Sequence, residues 1–185
     1  MNANEIAEKI EDHILRQIYN DVFPVSHIED DKFYQRTKCL EWVTPEQLDI
    51  KKVYVNQLGF AISCIRKIDE AKSVSDKLSL IINAHTSINN TIKFSSGKDE
   101  DSGQDEMTPI FQYIILRAHP KRMTSNINYM KCFLGGNLTD SRGFLLSQIE
   151  LATSYINNIN YEQLKISKEE FDKQFLASKI KYNFQ

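Results

Sequence analysis

No uninterrupted apolar run in the chain approaches the roughly 20 residues that a bilayer-spanning helix needs, and no charged segment followed by an apolar one opens it. Cysteine is scarce. Cys39, Cys64 and Cys132 are odd in number, far apart and set in apolar helical patterns, which excludes a disulfide framework and predicts buried free thiols in a reducing compartment. The sequons at Asn89 and Asn137 are then expected to be idle, and the chain to be cytoplasmic, without direct membrane insertion. Only four prolines and six glycines punctuate 185 residues, and no alternating apolar run bounded by turn signals argues for a sheet. The expected fold class is all-α, and the length suits one domain with a full core or a domain with a small packed extension. A formal net charge of -2 with no basic stripe gives no reason to expect nucleic acid as a partner. Chemical motifs are missing as well. His13, His27, His85 and His119 have no HExxH or CxxC company, there is no glycine-rich phosphate loop, and Asp99, Glu100 and Asp101 lack the glycine and closing glutamate of a calcium loop. Neither a metal nor a cofactor is implied.

What is present centres on Gln104 to Phe133. An almost unbroken apolar segment runs from Pro109 to Ala118 and halts at His119-Pro120, which reads as a helix buried nearly all round, with the rest of the chain layered about it as a bundle. Asp105 and Glu106 precede it, directly after the polar segment Ser95 to Gly103. An acid there is either a helix cap that meets the positive end of the dipole, or a fixed negative probe on the tip of a rigid element, presented to a cation or a phosphate-binding pocket of a partner.

Other helices follow from periodicity. Ile6, Ile10, Ile14, Ile18 and Val22 recur every fourth residue, widened by Leu15, Tyr19 and Phe23, which predicts a buried stripe ending near Pro24. A second helix follows Asp30 and Asp31, and Thr44-Pro45-Glu46-Gln47 is a capping box that opens a short one. One helical face spans Lys52 to Ile68 with Gly59 inside it. The next, capped by Ser73 or Ser75, carries Leu78, Ile81, Ile82, Ile88 and Ile92, with His85 as a core-edge histidine. Thr124, Ser125 and Asn126 are expected to cap a helix that Gly135-Gly136 stops, and Thr139 or Asp140 to cap a long one through Phe144, Leu145, Ile149, Ala152, Tyr155, Ile156 and Ile159. Ser167 to Glu170 is a second capping box, before a closing helix with Phe171 and Phe175.

In order and spacing, IEDHILRQIYNDVFP, LEWVTPEQLDI, SDKLSLIINAHTSI, QDEMTPIFQYIILRAHP, SNINYMKCF, RGFLLSQIELATSYI and SKEEFDKQF resemble the vacuolar protein sorting nine domain, the catalytic module of exchange factors for endosomal Rab GTPases. The resemblance covers nearly everything from Ile10 to Phe175. It implies a division into an N-terminal helical extension (1–50), an exchange core (51–160) and a C-terminal capping helix (161–185). It also implies a guanine nucleotide exchange factor without covalent chemistry, a monomer that prefers a nucleotide-free Rab GTPase of the early-endosomal branch and is recruited peripherally to endosomal membranes. Family members often carry further modules beside this domain, so the chain is a minimal member or a piece of a longer one.

The resemblance assigns Asp105 the catalytic role, since in the family a carboxylate four residues before a proline, here Pro109, opens the central helix. Glu106, Pro109, Phe144, Ser147 and Gln148 are implied at the GTPase-binding surface, although Gln148 reads equally well as an exposed helix residue. The chain departs from the family where a tyrosine follows a glycine with a threonine three residues on: Gly143 is followed by Phe144, and the threonine position is Ser147. Val74 replaces a usual proline, a structural change. The lost hydroxyl keeps open a second class, a non-catalytic adaptor that binds a GTPase without driving exchange. A helical enzyme, the third class, would need clustered titrating groups that the sequence does not assemble.

Overall fold

The computed structural model describes residues 3–96, 104–134 and 141–184, and among these no strand occurs. The helices are α1 (Ala3–Val22), α2 (His27–Cys39), α3 (Lys52–Val55), α4 (Gly59–Arg66), α5 (Val74–Ser96), α6 (Gln104–Ala118), α7 (Met123–Phe133), α8 (Ser141–Asn158) and α9 (Lys168–Lys181). Among the described residues, no helix is long and apolar enough to cross a membrane.

Helix α6 is the axis of the bundle, packed by α2, α4, α5 and α8. Met107, Ile110, Phe111, Tyr113, Ile114, Ile115, Leu116 and Ala118 are all buried, so no single face is left for water below the first turn. Each large apolar side chain removed from solvent there contributes on the order of 1.5–3 kcal/mol before chain entropy is charged against it. At the far end the Arg117 guanidinium donates to the carbonyls of Glu41 and Val43 and lies over the Tyr113 ring. His119 then takes the left-handed conformation, φ 50°, and stops the helix before Pro120.

The first helix turns the other way round from the expected stripe. Leu15, Tyr19 and Phe23 are buried, while Ile6, Ile10, Ile14 and Ile18 face solvent, Ile10 at 56% exposure. Two sets of residues repeat every fourth position and only one can face inward. The aromatic set wins because Tyr19 and Phe23 close on Tyr129, with ring centroids 5.5 and 5.4 Å away, and large rings bury more area per residue.

Between Lys52 and Ile68 the single expected helix is broken into α3, α4 and a 3-10 turn at Lys67–Asp69. Gly59 starts α4 instead of sitting inside a longer helix, and the break allows Tyr54 and Leu58 both to point into the core. The Thr44 box forms reciprocally, Gln47 N donating to Thr44 Oγ1 and Thr44 N to Gln47 Oε1, but it opens only a 3-10 turn, Glu46–Leu48. Ser73 caps α5 by accepting from Asp76 N, and Ser167 caps α9 by accepting from Glu170 N. On α5, Ile82 is exposed. Phe171 stacks on Phe175 and meets Trp42 edge-on, which seats α9 on the bundle.

Distant acids do the capping expected of Thr124, Ser125 and Asn126. Asp69 accepts from the N–H groups of Lys121 and Arg122, and Asp30, buried inside α2, accepts from Ser125 N and Ser125 Oγ. Ser125 and Asn126 are fully buried in the first turn of α7. Asn126 in turn receives a hydrogen bond from Lys77, whose whole side chain is 0% exposed. The Lys77 ammonium also donates to the carbonyls of Ile68 (2.9 Å) and Ala71 (2.5 Å) and is ringed by Tyr19, Phe23 and Tyr129. Those three acceptors, with the Tyr19 hydroxyl farther off at 3.4 Å, satisfy its three donors, the condition for tolerating a buried cation. Cys39 and Cys64 are buried free thiols, but Cys132 is exposed on the outer face of α7. Gly135, Gly136, Thr139 and Asp140 lie outside the described residues.

Candidate functional site

Asp105 is the second residue of α6 and is exposed; among the described residues its carboxylate has no hydrogen-bonding partner. It lies in the first turn, at the positive end of the helix dipole, so its charge is favoured there without being neutralised by a side chain. Pro109 is half-buried inside the same helix. Lacking an N–H, it cannot donate to the carbonyl four residues back, which is that of Asp105. The acid-bearing turn is therefore held by one ladder bond fewer than an ordinary helix start.

Glu106 points sideways. Its carboxylate accepts from the Lys51 ammonium and lies 3.4 Å from the Tyr54 hydroxyl, and Lys51 Nζ is 3.3 Å from that same hydroxyl. The hydrogen bond to Glu106, and secondarily that to Tyr54, pushes the Lys51 ammonium above its ordinary range and holds it cationic. The Tyr54 ring is buried, so this small cluster stands on the core while its polar atoms stay at the surface.

The other implied residues come from α8, which packs directly against α6. Phe144 is 43% exposed, an apolar ring turned to solvent from the first turn. Ser147 is exposed and its hydroxyl donates back to the Gly143 carbonyl at 3.0 Å, while Gln148 is half-buried. At 100° per residue Phe144, Gln148, Leu151 and Tyr155 fall on one stripe. Leu151 on that stripe is 61% exposed. Thr153, Ser154 and Asn157 instead line a small polar pocket with Thr124, Ile127 and Asn128 of α7, so the stripe occupies the flank of α8 turned away from α7. Phe144 was assigned to this surface by the family resemblance; nothing in the sequence pointed to Leu151 or Lys51.

The arrangement offers a fixed, unpaired carboxylate on one helix and an exposed aliphatic and aromatic wall on its neighbour. Among the described residues no group of histidines, cysteines and acids is placed to hold a metal ion. Such a site can bind and displace; it has no nucleophile paired with a base.

The profile of the Vacuolar sorting protein 9 (VPS9) domain matches residues 58–161, which include α4 to α8. Among known proteins the chain is similar to the Rab5 GDP/GTP exchange factor of Mus musculus, 30% identical over 183 residues, covering 92% of this chain and 37% of that protein. It is similar to the Vacuolar protein sorting-associated protein 9A of Oryza sativa subsp. japonica, 27% identical over 90% of this chain and 37% of that one. Receptor-mediated endocytosis protein 6 of Caenorhabditis elegans is 26% identical over 81% of this chain and 14% of its own length. The chain thus spans little more than a third of the first two relatives. By the matched profile and by these identities over most of its length, the chain belongs to the VPS9 domain family.

Proposed function

We propose that the chain is a guanine nucleotide exchange factor that speeds GDP release from Rab GTPases of the early-endosomal branch. The observation that carries this reading is the exposed, unpaired Asp105 carboxylate in the first turn of α6, in a chain of this family. The relative named a Rab5 GDP/GTP exchange factor supports the choice of partner.

A small GTPase holds its nucleotide through phosphate-binding backbone, a lysine and a magnesium ion. Asp105 enters that site, competes with phosphate for the lysine and disfavours the magnesium, while Pro109, Phe144, Ser147, Gln148 and Leu151 hold the switch regions open. Linkage supplies the energetics: the factor by which the exchanger prefers the empty GTPase over the loaded one is the factor by which nucleotide affinity falls. No bond is made or broken. The protein acts as a monomer on the membrane-bound GTPase, recruited to endosomes from the cytoplasm.

A second reading, an adaptor that binds without exchange, is favoured by one feature: Phe144 carries no hydroxyl to donate to a switch region. The two readings separate in a panel of Rab GTPases loaded with a fluorescent GDP analogue. Exchange predicts accelerated release and tighter binding to the empty GTPase. Binding to the loaded form with no acceleration from any member would establish the adaptor instead.

A further inference from the structure

Two acids stand side by side at the tip of α6, and the structure treats them differently. Glu106 is engaged by α3 and its preceding residue, through Lys51 and Tyr54, whereas Asp105 is left exposed. Pro109 has removed the ladder bond that would hold the Asp105 carbonyl, so the lateral contact of the very next residue bears more of the task of fixing this turn. We propose that Lys51 and Tyr54 are positioning residues for Asp105: by clamping Glu106 they fix the acid-bearing turn against α3 and decide which of the two carboxylates is presented to the GTPase. This rests on the exchange reading above and extends it to residues outside α6 and α8.

The clamp acts in two ways. Geometrically, Tyr54 is rooted in the core, so the turn it holds cannot swing independently of the bundle. Electrostatically, Lys51 neutralises Glu106, which would otherwise stand beside Asp105 as a second anion for the same lysine and magnesium. An exposed ion pair contributes little to stability, so these roles concern where the turn points and not whether the chain folds.

Lys51→Met, Tyr54→Phe and Glu106→Gln are to be compared with wild type in GDP release at saturating exchanger, with thermal midpoints measured alongside. The expected result for Lys51→Met and Glu106→Gln is a maximal rate lowered about tenfold, as for other groups displaced by an ångström or less, with the half-saturating concentration and midpoint unchanged. The reversed pair Lys51→Glu with Glu106→Lys restores the rate. If Lys51→Met is silent while wild type is active, the clamp is overturned and the exchange reading stands. A raised half-saturating concentration for Glu106→Gln alone would overturn it too, making Glu106 a direct contact. Inactive wild type across the GTPase panel would overturn the exchange reading and, with it, this inference.

Discussion

Pro109 stands four residues after Asp105 in α6, and because proline has no N–H the Asp105 carbonyl receives no bond from the helix ladder at that point. Pro109→Ala supplies the missing donor. The substitution is expected to raise the thermal midpoint by about 2–4 °C, as a gain near 1 kcal/mol does in a chain of this size, and to slow exchange several-fold because the proline ring is lost from the proposed GTPase-binding surface. An unchanged rate at a raised midpoint would mean that the proline ring has no part in that surface.

At Phe144 the ring is exposed but has no hydroxyl. Phe144→Tyr adds a donor worth about 0.5–1.5 kcal/mol if a switch region accepts it, so exchange is expected to quicken by roughly two- to tenfold. Stopped-flow release of the labelled nucleotide measures this. No gain would place the aromatic body, and not hydrogen bonding, at the centre of this contact.

Lys77 is the largest commitment of charge in the core. Lys77→Met leaves Asn126 and the carbonyls of Ile68 and Ala71 without their donor, and unsatisfied buried acceptors cost about 1–3 kcal/mol each where water cannot replace the bond. A urea midpoint lowered by the equivalent of about 3 kcal/mol is expected, with helical content kept; a neutral outcome would show that packing alone sustains this junction.

His119 contributes to the loss of stability on acidification. Burial, aided by the nearby cations of Lys38, Arg117 and Arg66 and opposed by Glu41, pushes its imidazole down to about 4 from 6.5. Above 6.5 the ring is neutral folded or unfolded and contributes no slope. As pH falls from 6.5 towards 4 the unfolded chain takes up a proton that the folded one refuses, so stability is lost across that window, and below it the loss levels off. His119→Asn keeps a residue suited to φ 50° and removes the titration. Urea midpoints between pH 4 and 6.5 should fall less steeply for the variant than for wild type. Parallel slopes would contradict the assignment.

What could be read in the sequence was what a local pattern encodes. The apolar run from Pro109 to Ala118 has too few polar breaks to be anything but a buried helix; the Thr44 box bonds reciprocally, and in the second box Ser167 accepts from Glu170 N. Three-dimensional competition was not legible. Ile10 and Leu15 belong to equally regular repeats, and only the position of Tyr129, more than a hundred residues on, decides which faces inward. Lys77 reads as a surface lysine until α7 brings Asn126 to it, and Asp30 and Asp69 become caps only for backbone 95 and 52 positions further along the chain. At the candidate site the local pattern placed Asp105 and Pro109 at the start of α6 and Phe144 on α8, while their roles came from the family resemblance alone. Lys51 and Tyr54 were not legible, since their bond to Glu106 crosses more than fifty residues.

The most direct test of the account is GDP release from an early-endosomal Rab GTPase, with wild type and Asp105→Ala measured side by side. Asp105 is exposed and without a side-chain partner among the described residues, so the substitution should leave the fold and the thermal midpoint intact. Wild-type acceleration that falls on the order of 10²-fold or more in the variant, with binding to the GTPase retained, is the predicted result. Near-normal exchange by a folded Asp105→Ala protein would contradict the claim that this carboxylate displaces the nucleotide.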